Sequence, residues 1–226
     1  MSVARDGRPR FRAVTFDAYG TLVHNEDLIA VPRRIVADHG LSVPAADVHR
    51  LWSDLYHEAT QAPPFRTLRD IENEILGRVL RAFGVEADPS PYVDLFFSVT
   101  TSVTLYPEAL DVLRGLGHVR TAVLSNADLE HTASWTFALP VEFILISERL
   151  GAYKPHQLAF QAALDRLGLD PAEVLHVGDS DVDDVQGGKA AGLAVAWVNR
   201  NGRARRAGVP APDFEIPDLT GLRAVL

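Results

Sequence analysis

Five short runs rich in Val, Ile and Leu constrain this chain more than any other feature. They are "RAVTFD" (12–17), "RTAVLS" (120–125), "EFILIS" (142–147), "VLHVGD" (174–179) and "LAVAWV" (193–198), and each ends near polar or glycine residues. Apolar runs of this length without strict alternation match strands buried on both faces of a parallel sheet. Parallel strands need crossover connections, and helical patterns lie between the runs. In "PHQLAFQAALDRLG", Phe160, Leu164 and Leu167 share one face and Gly168 supplies a stop. In "PEALDVLRGLG", Pro107 stands in the first turn, Leu110, Leu113 and Leu116 align, and Gly117 ends the segment. The expected fold is α/β, with a Rossmann-like open parallel sheet.

About 100 residues separate the first run from the second, far more than a βαβ crossover needs. That stretch carries helical periodicity and almost no strand signal. "TLRDIENEILGRVLRAF" places Ile71, Ile75 and Val79 in one row, with Leu76, Leu80 and Phe83 beside it. "AADVHRLWSDLYHEAT" and "PSPYVDLFFSVTTS" predict two more helices, and another is expected around 28–38. Residues 24–104 are therefore expected to form an all-helical subdomain inserted into a core of 1–23 and 105–226, with hinges near His24–Asn25 and Thr104–Pro107.

Composition narrows the function classes. A net charge of −8 disfavours a general nucleic-acid binder, which must neutralise phosphates. The basic clusters "RDGRPRFR" at the start and "RARR" at 203–206 are expected as solvated tails or loops. The absence of cysteine removes disulfides, thiolate metal sites and cysteine nucleophiles together. The first residues lack a signal-peptide core, and no apolar run approaches the roughly 20 residues of a membrane span. A cytoplasmic protein acting on a small molecule is expected, with no nucleic-acid or membrane partner. Nothing in the sequence sets an oligomeric state.

Ligands of open α/β sheets bind outside the carboxyl ends of the strands, and there the polar residues gather. The first run ends in Asp17-Ala18-Tyr19-Gly20-Thr21, the second in Ser125-Asn126; Lys154 follows the third, and the fourth ends in "GDSDVDD" with Asp179, Asp181, Asp183 and Asp184. "DSDVDD" is no calcium loop, since Asp184 stands where that loop needs glycine and a strand precedes it. A carboxylate can serve as a nucleophile that forms an ester or an aspartyl-phosphate. For a phosphate substrate, Mg²⁺ would offset the repulsion between two anions. Asp17 and Asp179 would hold it, with Asp184 or Asp183 supporting a coordinated water. Lys154 would balance charge, while Thr21, Ser125 and Asn126 would donate to substrate oxygens.

"DAYGTL", "SN", "KP" and "GDSDVDD", in this order and spacing, resemble the four motifs of the haloacid dehalogenase-like hydrolases, over nearly the whole chain. The inserted helices resemble the mobile helical cap of one branch of that superfamily. The resemblance implies Asp17 as nucleophile and Lys154 as its partner, with Asp17, Asp179, Asp184 and the Tyr19 main-chain carbonyl around Mg²⁺.

Tyr19 sets a limit. Phosphatases of the superfamily typically carry a second Asp there, which protonates the leaving oxygen and later activates the water, and a phenol with a pKa near ~10 is a poor base in its place. "DAYGTL" resembles instead the 2-haloacid dehalogenases, whose halide leaves without a proton. Three other positions depart from them: Ser53 follows Leu51-Trp52 where an arginine is expected, Phe160 replaces a tyrosine, and Gly178-Asp179-Ser180 replaces Ser-Ser-Asn. The favoured reading is a Mg²⁺-dependent phosphatase of a small metabolite. A 2-haloacid dehalogenase is the alternative, and a catalytically weak phospho-ligand-binding protein is the reading from another class. His24 is a possible replacement acid–base, and Arg66, Arg69 and His57 are polar candidates to face the substrate. Phosphonate cleavage through a Schiff base is excluded, because the only lysines, Lys154 and Lys189, lie outside the insert.

Overall fold

The computed structural model describes residues 11–24 and 26–226. Arg5–Arg10 of the first basic cluster and Asn25 of the first hinge lie outside the described residues. Arg12, the last of that cluster, pairs with Glu173 at 2.8 Å.

Among the described residues β1 (Ala13–Phe16) comes first, followed by the α-helices α1 (Ala30–Asp38), α2 (Ala45–Gln61), α3 (Leu68–Ala82) and α4 (Ser90–Thr101). The chain continues through α5 (Ala109–Gly115), β2 (Arg120–Ser125), α6 (Leu129–Ala133), β3 (Phe143–Ile146), α7 (Ser147–Leu150) and α8 (Gln157–Leu167). The remainder comprises β4 (Val174–Gly178), a π-type turn (Asp181–Gln186), α9 (Gly187–Ala190), β5 (Ala194–Val198), β6 (Phe214–Ile216) and a closing 3₁₀ segment (Leu219–Ala224).

The six strands form one parallel sheet in the order β3-β2-β1-β4-β5-β6, flanked by helices in the Rossmann-like manner. Every residue of β1 and β4, the two central strands, is buried. On one face Ala13, Ala122, Leu124, Phe143, Leu145 and Val174 pack against Ala159, Phe160, Ala163, Leu164 and Leu167 of α8. Gly168 then ends α8 at φ +61°, a conformation that carries no Cβ penalty only for glycine. In α5 the buried side chains are Ala109, Val112 and Leu113, with Leu116 just beyond. Leu110 is only half-buried, so the stripe is turned one residue from the expected one.

The described residues fall into two compact units. One holds the sheet (up to His24, Thr104–Asn126 and Phe137–Leu226) and the other is helical (up to Val103, together with Ala127–Thr136). The last segment, placed with the sheet by sequence reasoning, packs with the helices for a reason visible in its side chains. The Asp128 carboxylate accepts from the N–H groups of Leu68 (3.0 Å) and Arg69 (3.2 Å), capping α3, and Arg69 grips Glu130 with two bonds of 3.0 Å. Arg69 also lies 4.0 Å from the Phe97 ring centroid. Within the helical unit Trp52 donates its indole N–H to the buried Glu72 at 2.7 Å. Burial pushes the Glu72 carboxyl up to about 8; the bond from Trp52 opposes this and Asp128 adds to it. No helix among the described residues is long and apolar enough to cross a membrane.

Candidate active site

All four strand-end clusters named from the sequence belong to the sheet unit. Asp17 directly follows β1 and prolongs its ladder, donating its N–H to Val177 O at 2.8 Å. The chain then folds back tightly, with the N–H groups of Leu22 (2.8 Å) and Val23 (2.7 Å) both reaching Ala18 O. Gly20 makes this turn possible. Its φ is +89°, and a Cβ there would stand 2.5 Å from Asp179 Oδ2. Tyr19 is half-buried in the same turn.

Lys154, 1% exposed, is the centre of the site. Its ammonium donates to Asp17 Oδ1 at 2.7 Å and to Asp184 Oδ1 at 2.6 Å. The Asn126 amide is engaged with the Lys154 main chain on both sides, accepting from its N–H (2.8 Å) and donating to its carbonyl (3.0 Å). The side chain assigned from the sequence to substrate oxygens thus positions the lysine.

After β4 the chain enters the π-type turn, in which Val185 N–H reaches back to Ser180 O at 3.1 Å. Ser180 Oγ caps it by accepting from Asp183 N–H at 3.0 Å. This turn brings Asp184, 1% exposed, to Lys154 and leaves Asp183 half-buried. Asp184 accepts from Lys154 and from His176 Nε2 (3.0 Å) on one oxygen, and from Ser180 N–H (2.9 Å) on the other. Gly178 clears the space, since a Cβ on it would lie 2.1 Å from Asp184 Cγ.

Oxygens of Asp17, Asp179 and Asp184 all lie within 4.8 Å of one another. Three acids face one lysine, with the Arg203 guanidinium 3.6 Å from Asp179 Oδ2, and burial together with these charges divides their proton affinities. Asp184 stays well below the usual carboxylate range: burial alone would raise it, but Lys154 and His176 outweigh burial. Burial pushes Asp17 up to about 7; Lys154 offsets part of this, and Asp184 adds to the rise. Asp179 is raised well above its ordinary value by burial and by the Asp17 and Asp184 charges. Burial would lower Lys154, yet Asp17 and Asp184 hold it above the ordinary lysine range.

Among the described residues, three buried polar atoms in this region have no hydrogen-bond partner: Asp17 Oδ2, Thr21 Oγ1 and Ser125 Oγ. Buried polar atoms without partners are rare and ask for a ligand. A bare carboxylate oxygen and a cluster of three hard oxygen donors with a charge deficit fit a divalent cation such as Mg²⁺.

Several contributors were not found from the sequence. Thr15 and His176 form a buried pair, with Oγ1 and Nδ1 2.9 Å apart, and Phe160 stacks edge-on against His176 with ring centroids 5.1 Å apart. Arg200 donates to the carbonyls of Gly20 (3.3 Å) and Thr21 (3.0 Å), pairs with Glu108 (2.8 Å), and lies 3.5 Å from the Tyr106 ring centroid. The cluster at 203–206 is not simply solvated. Arg203 donates to Asp179 O at 2.8 Å, and Arg206 N–H donates to Asp181 at 2.7 Å.

The other polar candidates are placed as follows. The His24 ring packs 4.9 Å from that of Tyr106, and its N–H donates to Thr104 O at 2.8 Å. The two expected hinges are thereby bonded to each other. Arg66 pairs with Glu74, and Arg69 is held by Asp94 and Glu130. Ser53 and His57 are half-buried in α2.

Fold and site define an α/β enzyme with a carboxylate–lysine centre at the carboxyl ends of a parallel sheet. The sequence profile of the haloacid dehalogenase-like hydrolases matches residues 11–192, and the chain belongs to that family of hydrolases. It is 30% identical over 219 residues to (S)-2-haloacid dehalogenase 4A of Burkholderia cepacia, covering 92% of this chain and 88% of that protein. It is 28% identical over 233 residues to the phosphoglycolate phosphatase of Haemophilus influenzae, covering 96% and 99%. Among solved structures, a dehalogenase with an intermediate complex superposes with a TM-score of 0.77 at 26% identity, covering 96% of this chain and 97% of that one.

Proposed function

We propose that this hydrolase is a Mg²⁺-dependent phosphatase of a small phosphorylated metabolite, with Asp17 as nucleophile. The observation that carries the reading is the crowding of Asp17, Asp179 and Asp184 within 4.8 Å around a single ammonium. A phosphate brings further negative charge, and such a site can accept it only with a cation present. Asp17, Asp179, Asp184 and the Tyr19 carbonyl would hold the ion. When bound, Mg²⁺ would supply charge balance for the transferred phosphoryl oxygens.

The chain's own groups account for the remaining chemistry. Lys154 holds Asp17 Oδ1 and leaves Oδ2 bare. An Asp17 oxygen attacks phosphorus, the bond to the leaving oxygen breaks, and an aspartyl-phosphate forms. Water then attacks phosphorus, the bond between phosphorus and the Asp17 oxygen breaks, and inorganic phosphate leaves with the carboxylate regenerated. Thr21 and Ser125, whose hydroxyls lack partners, would donate to the phosphoryl oxygens. Asn126 serves through the Lys154 main chain. Tyr19 stands where a second carboxyl would serve, and a phenol is a weaker acid than a carboxyl, which favours substrates whose leaving group needs little protonation.

A second reading, 2-haloacid dehalogenation through an Asp17 ester, is favoured by Tyr19 and by the Burkholderia relative. Against it stand Ser53 in place of an arginine, the packing of Phe160 into the α8 core, and acids that would repel a carboxylate substrate. Release of p-nitrophenol from p-nitrophenyl phosphate, with Mg²⁺ and then with EDTA, separates the two readings, with Asp17→Asn as control. Metal-dependent turnover lost in the control is the expected result. No turnover, together with chloride release from a 2-chloroacid in EDTA, would establish the dehalogenase instead.

A further inference from the structure

β1 and β4 lie side by side in the sheet, and their register sets Thr15 directly opposite His176. These are polar positions in otherwise apolar central strands, and both side chains are buried, at 1% and 0% exposure. Side chains two apart on a strand share a face. Thr15 therefore lies on the face of Asp17, and His176 on the face of Gly178, the glycine that makes room for Asp184. The imidazole is held at three sides: Nδ1 by Thr15 (2.9 Å), its ring by the edge-on Phe160, and Nε2 by Asp184 (3.0 Å). An ionised carboxylate only accepts, so Nε2 carries the hydrogen that points at Asp184.

We infer that His176 is a positioning residue that fixes the Asp184 carboxylate for a divalent cation, with Thr15 setting the orientation of the ring. The inference rests on the reading of Asp184 as a cation ligand. Asp184 Oδ1 takes donors from Lys154 and His176, and Oδ2 from Ser180 N–H. With three donors in place the carboxylate has one rotamer and one direction of free lone pairs. Loss of the histidine would leave Lys154 as the sole side-chain restraint, and Lys154 is shared with Asp17. Groups that orient a metal ligand from behind commonly govern affinity by about 10–100-fold.

The test is Mg²⁺ binding by isothermal titration calorimetry, alongside thermal unfolding of each variant in EDTA. His176→Gln keeps a donor at the same bond count from Cβ as Nε2, whereas His176→Asn reaches only as far as Nδ1. Mg²⁺ affinity should fall about 10–100-fold in His176→Asn and only about 3-fold in His176→Gln. Thr15→Val, which alters the strand least, should weaken Mg²⁺ binding about 3-fold and keeps the test open if the histidine variants do not fold. Equal affinity in wild type and His176→Asn, or in wild type and Thr15→Val, overturns the inference. Asp184→Asn tells that failure from failure of the underlying reading. A wild type that binds no Mg²⁺, or an Asp184→Asn variant that binds it unchanged, removes the cation site itself.

Discussion

Replacing Lys154 by Met removes the one ammonium between two buried carboxylates and keeps most of the aliphatic stem. Nζ lies 2.7 Å from Asp17 and 2.6 Å from Asp184, with the lysine side chain 2% exposed. Breaking a buried pair from one side costs about 3–5 kcal/mol, because the remaining charge is left uncompensated. The pH dependence of that cost is the diagnostic part. In the wild type Asp184 lies below its ordinary range, because Lys154 and His176 outweigh burial. Its contribution to stability is therefore present above the unfolded value, near ~4, and lost only on acidification. Without the ammonium, burial dominates and Asp184 joins Asp17 and Asp179 on the raised side. A raised carboxyl contributes stability at low pH and loses it as pH rises toward the folded pKa.

One group crossing from depressed to raised changes the slope by ~1.4 kcal/mol per pH unit, or about 3 kcal/mol between pH ~5 and ~7. Urea unfolding of both proteins in EDTA, at several pH values across that range, measures it. The variant should be weaker by about 1–2 kcal/mol at the acid end and about 3–5 kcal/mol at neutral pH. Asp17, raised to about 7, slopes the wild type downward as well, so only the difference between the two curves is informative. A gap independent of pH would refute the assignment of Lys154 as the counter-charge of Asp184.

Two further expectations follow from the packing. Gly178→Ala would set a methyl 2.1 Å from Asp184 Cγ and displace the carboxylate by about 1 Å or more, so turnover of p-nitrophenyl phosphate should fall ~100-fold. Gly115→Ala, with nothing within 4 Å of the added carbon, should leave turnover intact, and equal effects of the two would dismiss the steric argument. Glu72, raised to about 8 by burial, contributes stability below its unfolded value and loses it as pH climbs toward 8. Glu72→Gln keeps an acceptor for Trp52 and should gain about 3 kcal/mol on the wild type between pH ~5.5 and ~7.5 in urea unfolding; parallel curves would show that burial does not hold the acid neutral.

The strands of the central sheet were legible because burial on both faces leaves an apolar run, with nothing to confuse it with an amphipathic helix. β6 was not, since its three residues put Glu215 exposed at a sheet edge and form no run. The inserted helices announced themselves by period, as in Ile71, Ile75 and Val79, all buried in α3. Ala127–Thr136 joins the helices through Asp128 and Glu130, side-chain caps and pairs made about 60 residues away, which leave no periodic trace. The same division runs through the site. Asp17, Lys154, Thr21 and Ser125 could be grouped because each ends or follows a strand of a predicted parallel sheet. Thr15 and His176 looked like strand interior, and their pairing exists only through the β1–β4 register. Arg200 braces Gly20 from 180 residues away, and no spacing rule reaches that far.

Under the function we propose, charge is the feature that weighs most between the two chemistries that the first motif allows. Tyr19 removes an acid from the strand-end turn, and read alone it points to a leaving group that departs without a proton. The fourth strand returns two acids to the same space, Asp179 and Asp184, faced by Lys154 and, at Asp179, by the Arg203 guanidinium at 3.6 Å. At a halide-displacing site the added carboxylates would repel an anionic substrate unless other charges offset them. A phosphoryl-transfer site needs a cation, and only an excess of hard oxygen donors attracts one strongly. Burial raises Asp17 and Asp179 and the neighbouring carboxylates add to the rise, Asp17 Oδ2 is bare, and Gly178 makes room for the Asp184 side chain. Loss of the acid at position 19 then bears on which phosphates the site turns over quickly, and the charge of the fourth-motif acids bears on whether it takes phosphates at all.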